Sequence, residues 1–296
     1  MLEGLALLAD KHAATYILLA VLVYFGSAFL YALREYVAIK GFGKRADYWE
    51  LLKAYFAGLF VNNITPMARA GGEALRIVWI NQKNKVPKST VTAAIIYERA
   101  TEGPIIGVLA ILAAASYHFT WLTTLLVVLA VIGGITLMAR SDMLLRAVER
   151  LSGEKLDERT KKLLEKGLRF GPTAAVVTIL SATIWTLDVV RIWLELNAVR
   201  ATTGVAVALT TSVANVLLGV MGVTPGGVGI VEGGLIGTLV SLGFSVGDAA
   251  KFVAIERGIA LVLASIVGFI VMSIYGGKEA WRLLKSRWRR TGSSRE

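Results

Sequence analysis

The sequence predicts an all-α polytopic membrane protein with two inverted-topology repeats, each carrying a broken helical hairpin. Three observations predict it. The 296 residues are 55% hydrophobic with positive mean hydropathy, more apolar than a soluble domain of this length. Apolar windows with almost no charge recur at 15–33, 121–139, 173–187 and 259–275, each long enough or nearly so to cross a hydrocarbon layer about 30 Å thick. The same break also interrupts two apolar stretches: "TPMARAGGE" at 65–73 and "TPGGVGIVE" at 224–232. A β-barrel would need alternating segments of about ten residues, and the sequence has none.

The elements follow in order. A first span covers about 13–33, and the polar stretch "REYVAIKGFGKRADYWE" reads as a turn. A short apolar piece, 51–64, stops at Thr65-Pro66; its helix would be about 21 Å long, too short to cross comfortably. A second short piece, 74–80, precedes the basic loop "NQKNKVPK", and spans follow at 89–115 and 120–139, joined by the uncharged "SYHF". The second half repeats the order: a span at 173–197, a piece at 203–222, the break at 224–229, a piece at 230–242 and a long span at 248–276. The expected total is about 5 full spans plus 2 hairpins. The expected domains are 1–139 (first membrane repeat plus the unpaired span 120–139), a charged cytoplasmic linker at 140–171 reading as an amphipathic surface helix, the second, inverted repeat at 172–277, and a basic cytoplasmic tail at 278–296.

The repeat rests on four matches in order. "EYVAIK" (35–40) aligns with "ELNAVR" (195–200), Thr65-Pro66 with Thr224-Pro225, Glu73 with Glu232, and Glu98-Arg99 with Glu256-Arg257. The offset drifts only from 160 to 158, as a duplicated unit requires. Lys and Arg in 34–50, 81–88, 140–169 and the tail mark the cytoplasmic side, which places the N-terminus outside and the C-terminus inside. Segments 51–80 and 203–243 each start and end on one side. Re-entrant hairpins and pairs of close full spans both satisfy that parity.

Composition excludes several functions. There is no Cys, and His12 and His118 are too far apart to form a metal site. "GGVGIVE" fits part of G-x-G-x-x-G but lacks the last Gly and a preceding strand. No Walker motif or Ser/His/Asp set is present, so no cofactor and no enzyme activity are expected. The net charge of +11 lies beside the spans, where it acts as a topology determinant near anionic headgroups rather than as a nucleic-acid surface.

The breaks and the intramembrane charges are where chemistry is expected. Thr65, Pro66, Thr224 and Pro225 interrupt helices, since Pro removes a donor and Gly permits a turn. Such backbone is tolerated only where protein or a water-filled cavity covers it. Gly71-Gly72 and Gly226-Gly227 are placed just before helix starts, where N–H groups could meet an anion, flanked by Arg69 and Arg76 in the first case. Glu73 and Glu232 could equally be dipole partners of those helices. Glu98, Arg99, Glu102, Glu256 and Arg257 lie inside spans, and Asp188, Arg191 and Glu195 sit near a span's end with Arg34 and Glu35 in the matching place. A charge at the bilayer centre costs at least about 2.5–3.5 kcal/mol, so each must pair or face a cavity. Adjacent Glu and Arg point about 100° apart and are expected to reach other segments. Two readings stay open: a static clasp such as Arg99–Glu73 and Arg257–Glu232, or a headgroup site in which Glu competes for Arg. Asn62, Asn63 and Asn215 read as interhelical polar contacts.

At "NNITPMARAGGEALR", "YERATEG" and "VTPGGVGIVEGGL … AIERG" the chain resembles the lysylphosphatidylglycerol synthase transmembrane-region family. That flippase-like domain occurs alone in many archaea and bacteria. It also forms the membrane half of bacterial lysylphosphatidylglycerol synthases and of an archaeal dolichol-phosphate glycosyltransferase. The likeness covers essentially the whole chain, and the expectation is the stand-alone form without a synthase domain. The resemblance implies a flippase or scramblase for a lipid with a charged headgroup, in the plasma membrane. It carries over Pro66, Gly71, Gly72, Glu73, Arg76, Glu98, Arg99, Pro225, Gly226, Gly227, Glu232, Glu256 and Arg257. The expected partners are membrane lipids, either an anionic phospholipid or a polyprenyl phosphate, with a homodimer or a partner transferase as protein partners. The alternatives are a secondary transporter of a small anion and a non-catalytic subunit that presents lipid to a transferase.

Overall fold

The computed structural model describes residues 10–65, 70–116, 171–200, 202–222 and 224–276, with scattered positions between 146 and 162. The described residues are helical, with no strand among them. In chain order the helices are α1 (Lys11–Gly41), α2 (Tyr48–Ile64), α3 (Ala70–Asn84), α4 (Lys88–Ser116), α5 (Pro172–Val199), α6 (Val205–Met221), α7 (Ile230–Ser241) and α8 (Val246–Tyr275). A 3₁₀ turn, Pro225–Gly227, precedes α7. Within α8, Gly258–Leu263 is a π-helical turn. The expected span at 120–139, most of the linker, the tail, and Pro66 and Arg69 lie outside the described residues.

Local chemistry sets the ends. Asp10 accepts the His12 N–H, Asp47 the Glu50 N–H and Ser245 the Asp248 N–H, each satisfying a donor that a helix start leaves open. Pro172 begins α5, where a missing N–H does no harm. Glu154 of the linker accepts the Ser89 N–H at the start of α4.

Among the described residues four helices are long and apolar enough to cross a membrane: α1, α4, α5 and α8. The burial pattern agrees with a lipid surround. Leu18, Leu22 and Phe29 on α1, Ile179 on α5, and Ile266 and Ile274 on α8 are exposed. Arg34, Glu35, Glu98 and Glu195 are 0% exposed. Apolar outside and charged inside is the reverse of a water-soluble fold and is what a hydrocarbon solvent selects. This is an integral membrane protein.

Two boundaries differ most from the sequence expectation: α3 runs on to Asn84, through half of the expected loop 81–88, and α1 overruns its expected end. The first helix does not turn at Arg34 but runs to Gly41. The charges that suggested a turn are paired inside the protein, so the helix continues through them. The turn comes at Phe42-Gly43, where Gly43 adopts φ +73°.

Packing then arranges the helices around a common centre. α1 lies along α5 and runs antiparallel to it: Gly41 abuts Thr173, while the Tyr16 and Trp193 rings stand 6.2 Å apart at the other end. α2 and α3 fold back on each other, held near their outer ends by Trp79 Nε1 donating to Glu50 Oε2 at 3.0 Å. α6 and α7 do the same, with Gly234 against Leu218. Arg200 Nη1 ties the end of that pair to the Gly243 carbonyl. α2 also rests on the last part of α8, where Gly268 lies against the Phe56 carbonyl and Phe60.

Candidate functional site

The inner ends of the two helix pairs meet. Asn63, on the last turn of α2, donates through Nδ2 to the Ala260 and Leu261 carbonyls at 3.1 and 3.2 Å and to Ser265 Oγ at 2.9 Å. Those carbonyls belong to the π-helical turn of α8, whose widened ladder leaves acceptors that a side chain can take. Gly226 packs against the Asn63 backbone and Leu261. Its φ of +62° and the +70° of Gly227 are conformations that glycine supplies without strain.

Around this junction lies a cavity of about 180 Å³ lined by both halves of the chain. Four arginines face it, Arg76, Arg99, Arg191 and Arg257, against three carboxylates, Glu73, Asp188 and Glu256. Each arginine comes from a different helix: α3, α4, α5 and α8. Arg99 and Arg257 sit about 17 Å along their helices, near mid-span.

In the first half, Arg99 Nε donates to Glu73 Oε1 at 2.9 Å, and Arg99 Nη1 donates to Glu102 Oε2 at 2.6 Å. Behind them Arg34 reaches Glu102 at 2.5 Å, Glu98 at 3.4 Å and Ser181 Oγ at 3.1 Å. Arg76 stands 2.7 Å from Glu35 and 3.5 Å from Glu98. In the second half Arg257 Nε is 3.1 Å from Glu232, and Nη1 donates to the Gly226 carbonyl at 3.2 Å. Arg191 donates to Asp188 at 2.9 Å and Glu195 at 2.7 Å, and lies 3.9 Å from Glu256. Asn215 Nδ2 donates to Glu256 Oε1 at 3.2 Å. Both clasps expected from the sequence are therefore present, and two carboxylate-rich clusters stand behind them.

Gly226 and Gly227 precede α7 as expected, but the first pair of glycines does not precede its helix. Gly71 and Gly72 lie inside the first turn of α3, not before it. The Gly72 N–H is taken by Asn62 Oδ1 at 2.7 Å. A Cβ at Gly72 would meet the Gly58 carbonyl and stand 2.6 Å from Asn62 Oδ1. These glycines let α2 and α3 approach closely. At α7 the Gly229 N–H is taken by Glu232 Oε2 at 2.5 Å, so Glu232 caps its own helix as a dipole partner. The positive charge at the cavity therefore comes from arginine side chains more than from helix ends.

One pairing departs from the expectation that neighbours diverge. Arg257 Nε and Glu256 Oε2 are 3.4 Å apart; the 100° rule belongs to a straight α-helix, and α8 widens from Gly258 onward. Tyr31, Tyr55 and Trp185 also line the cavity and were not foreseen. The signal was available: Tyr24, Ser27, Tyr31 and Arg34 fall on one face of α1 at spacings of three, four and three.

Residues 4–268 match the family described as the lysylphosphatidylglycerol synthase TM region. The chain belongs to this family. It is similar to a UPF0104 membrane protein of Methanocaldococcus jannaschii, 23% identical with 88% of this chain and 84% of the relative covered. A UPF0104 membrane protein of Pyrococcus horikoshii is 24% identical over 87% and 86%. One of Methanothermobacter thermautotrophicus is 23% identical over 93% and 89%. No solved structure is significantly similar to the chain.

Proposed function

We propose that this protein moves a lipid with a phosphate-bearing headgroup between the leaflets of the plasma membrane, as a flippase or scramblase rather than an enzyme. The observation that carries the reading is the intramembrane cavity: four arginines from four helices converge on a space of about 180 Å³. Arg257 Nη2 there has no hydrogen-bond partner. Arginine presents a planar donor fork suited to phosphate, and a buried donor left open calls for a ligand. The facing carboxylates hold the arginines when no headgroup is present and release them when one enters. The family's description names a synthase of a phospholipid, which is consistent with a lipid substrate.

The transport cycle we infer uses two inverted repeats with re-entrant hairpins, N-terminus outside and C-terminus inside. The antiparallel pairing of α1 with α5 and the folded-back pairs α2–α3 and α6–α7 support that arrangement. Rocking of the halves about the Asn63–Gly226 junction would open the cavity to each leaflet in turn, as in other inverted-repeat transporters.

The test is mass spectrometry of lipids that co-purify with the wild type and with Arg99→Ala/Arg257→Ala. Enrichment of one phosphate-bearing lipid, lost in the double variant, supports the reading. Bulk lipid alone in both preparations refutes it and leaves the arginines as a structural clasp.

A further inference from the structure

We propose that the second-half cluster binds a proton, held between Glu195 and Glu256, and that this proton is the ion exchanged during transport. The binding site is argued from geometry; its use in transport rests on the lipid-transport reading above.

The two halves do not balance charge equally. The first sets Arg34, Arg76 and Arg99 against Glu35, Glu73, Glu98 and Glu102, three cations to four anions. The second sets Arg191 and Arg257 against Asp188, Glu195, Glu232 and Glu256, two to four. The repeat explains the deficit. Arg34 and Arg76 correspond to Leu194 and Leu235, while Arg191 corresponds to Tyr31. The second half gains one guanidinium and loses two.

Glu195 and Glu256 are 0% and 2% exposed; Glu195 Oε2 has no hydrogen-bond partner, and Glu256 Oε2 faces Arg257 Nε at 3.4 Å. Arg191 Nη1 is 2.7 Å from Glu195 and 3.9 Å from Glu256, so both carboxyls share one guanidinium nitrogen. Two buried carboxylates that share one guanidinium nitrogen repel each other, and one proton between them relieves that repulsion.

Arg257 of α8 stands 3.4 Å from Glu256 Oε2 but is shared with Glu232 at 3.1 Å, and the other surrounding groups do not make up the missing charge. From α1, the Tyr24 ring faces the Arg191 guanidinium at 5.6 Å. From α6, Ser212 donates to Asp188 and Asn215 to Glu256. α7 contributes another carboxylate, Glu232, and Lys251 of α8 pairs with Asp248 at the surface. Ser181, through which α5 meets Arg34 and Thr101, is about 21 Å along α5 from Glu195.

A proton on Glu195 Oε2 or Glu256 Oε2 turns an acceptor into an O–H donor and removes one of the two excess charges. Among the described residues no group of three or more acidic or His side chains could hold a metal ion, whereas a proton needs a single oxygen. Asp188, Arg191 and Glu256 line the cavity, so the site has a route to water. Protonation loosens the hold of the carboxyls on Arg191 and leaves that guanidinium for a headgroup phosphate. Binding of proton and headgroup then favour each other.

Infrared difference spectroscopy of the full chain in lipid nanodiscs tests this. At neutral pH the wild type should show the carbonyl stretch of a protonated carboxyl, shifted in D₂O. Glu195→Gln or Glu256→Gln should lose the band, and Glu73→Gln should keep it. Absence of the band in wild type, or its survival in both variants, overturns the site. That wild-type reading holds even where a variant fails to fold. Sodium-dependent stabilisation without the band also overturns it, in favour of a metal cation. Scrambling of a fluorescent phospholipid in proteoliposomes should accelerate under an imposed pH gradient; a rate independent of the gradient overturns the coupling. No scrambling under any condition, with the band intact, sinks the lipid-transport reading and leaves the proton site standing.

Discussion

Arg34 and Arg99 are both arginines in mid-membrane ion clusters, yet their surroundings predict different losses. Arg34 is fully buried, and its guanidinium is where Glu98, Glu102 and Ser181 converge. Arg34→Ala would remove the cation between two buried carboxylates, leaving Glu102 to Arg99 and Glu98 to Arg76. Breaking a buried pair in this way costs about 3–5 kcal/mol. Arg99 is 38% exposed toward the cavity, where whatever fills the space screens its pairs. Arg99→Ala should cost about 1 kcal/mol or less while lowering lipid retention. Unfolding midpoints of the two variants in one detergent check this; equal losses would mean that clasp and buried cluster are one structural unit. Gly72→Ala adds a third residue-level expectation. Its Cβ meets backbone and the Asn62 amide, neither of which moves easily, so overpacking should cost about 1–3 kcal/mol, read from the same midpoints.

At the scale of elements, the long helices carry their irregularities beside their charges. In α4 Pro104 follows Glu98, Arg99 and Glu102; in α8 the π-helical turn follows Glu256 and Arg257. The Pro is legible in the sequence because its missing N–H is a property of the residue itself. The π-helical turn is not, since "GIALVL" has no breaker beyond Gly258. It is stabilised from outside, by Asn63 bonding two of its carbonyls. For the same reason the helix edges near 48, 70, 172 and 246 were readable to within a few residues, and the end of α1 was not. Caps and Pro act locally, whereas α1 passes Arg34 and Glu35 only because distant residues neutralise them. Asn63→Leu should therefore destabilise the π-helical turn selectively. Hydrogen exchange should rise across 258–265, by roughly the 0.5–1.5 kcal/mol of each lost bond, with α1 and α5 unchanged. Uniform acceleration would mean that Asn63 holds the whole fold rather than this turn.

For the whole molecule, the sequence showed which residues carry charge but not which carboxylates share an arginine. Arg99–Glu73 and Arg257–Glu232 were readable because the repeat doubles them. The Arg34–Glu98–Arg76–Glu35 cluster needs three helices brought together and the Arg191–Glu195–Glu256 cluster two, and no spacing encodes that. The relation between the halves can be tested without a ligand. The antiparallel packing of α1 and α5 puts loop 42–47 and loop 200–204 at opposite ends of the bundle, in agreement with the Lys/Arg bias that assigns the first to the cytoplasm. The chain has no cysteine, so single introduced thiols report cleanly. Arg45 and Thr202 are both exposed. In intact cells, Thr202→Cys should react with a membrane-impermeant maleimide and Arg45→Cys only after the membrane is opened. Labelling of both from one side would break the inverted arrangement, and with it the alternating access of the cavity. The reverse pattern would keep the arrangement but turn the protein over, with the N-terminus inside.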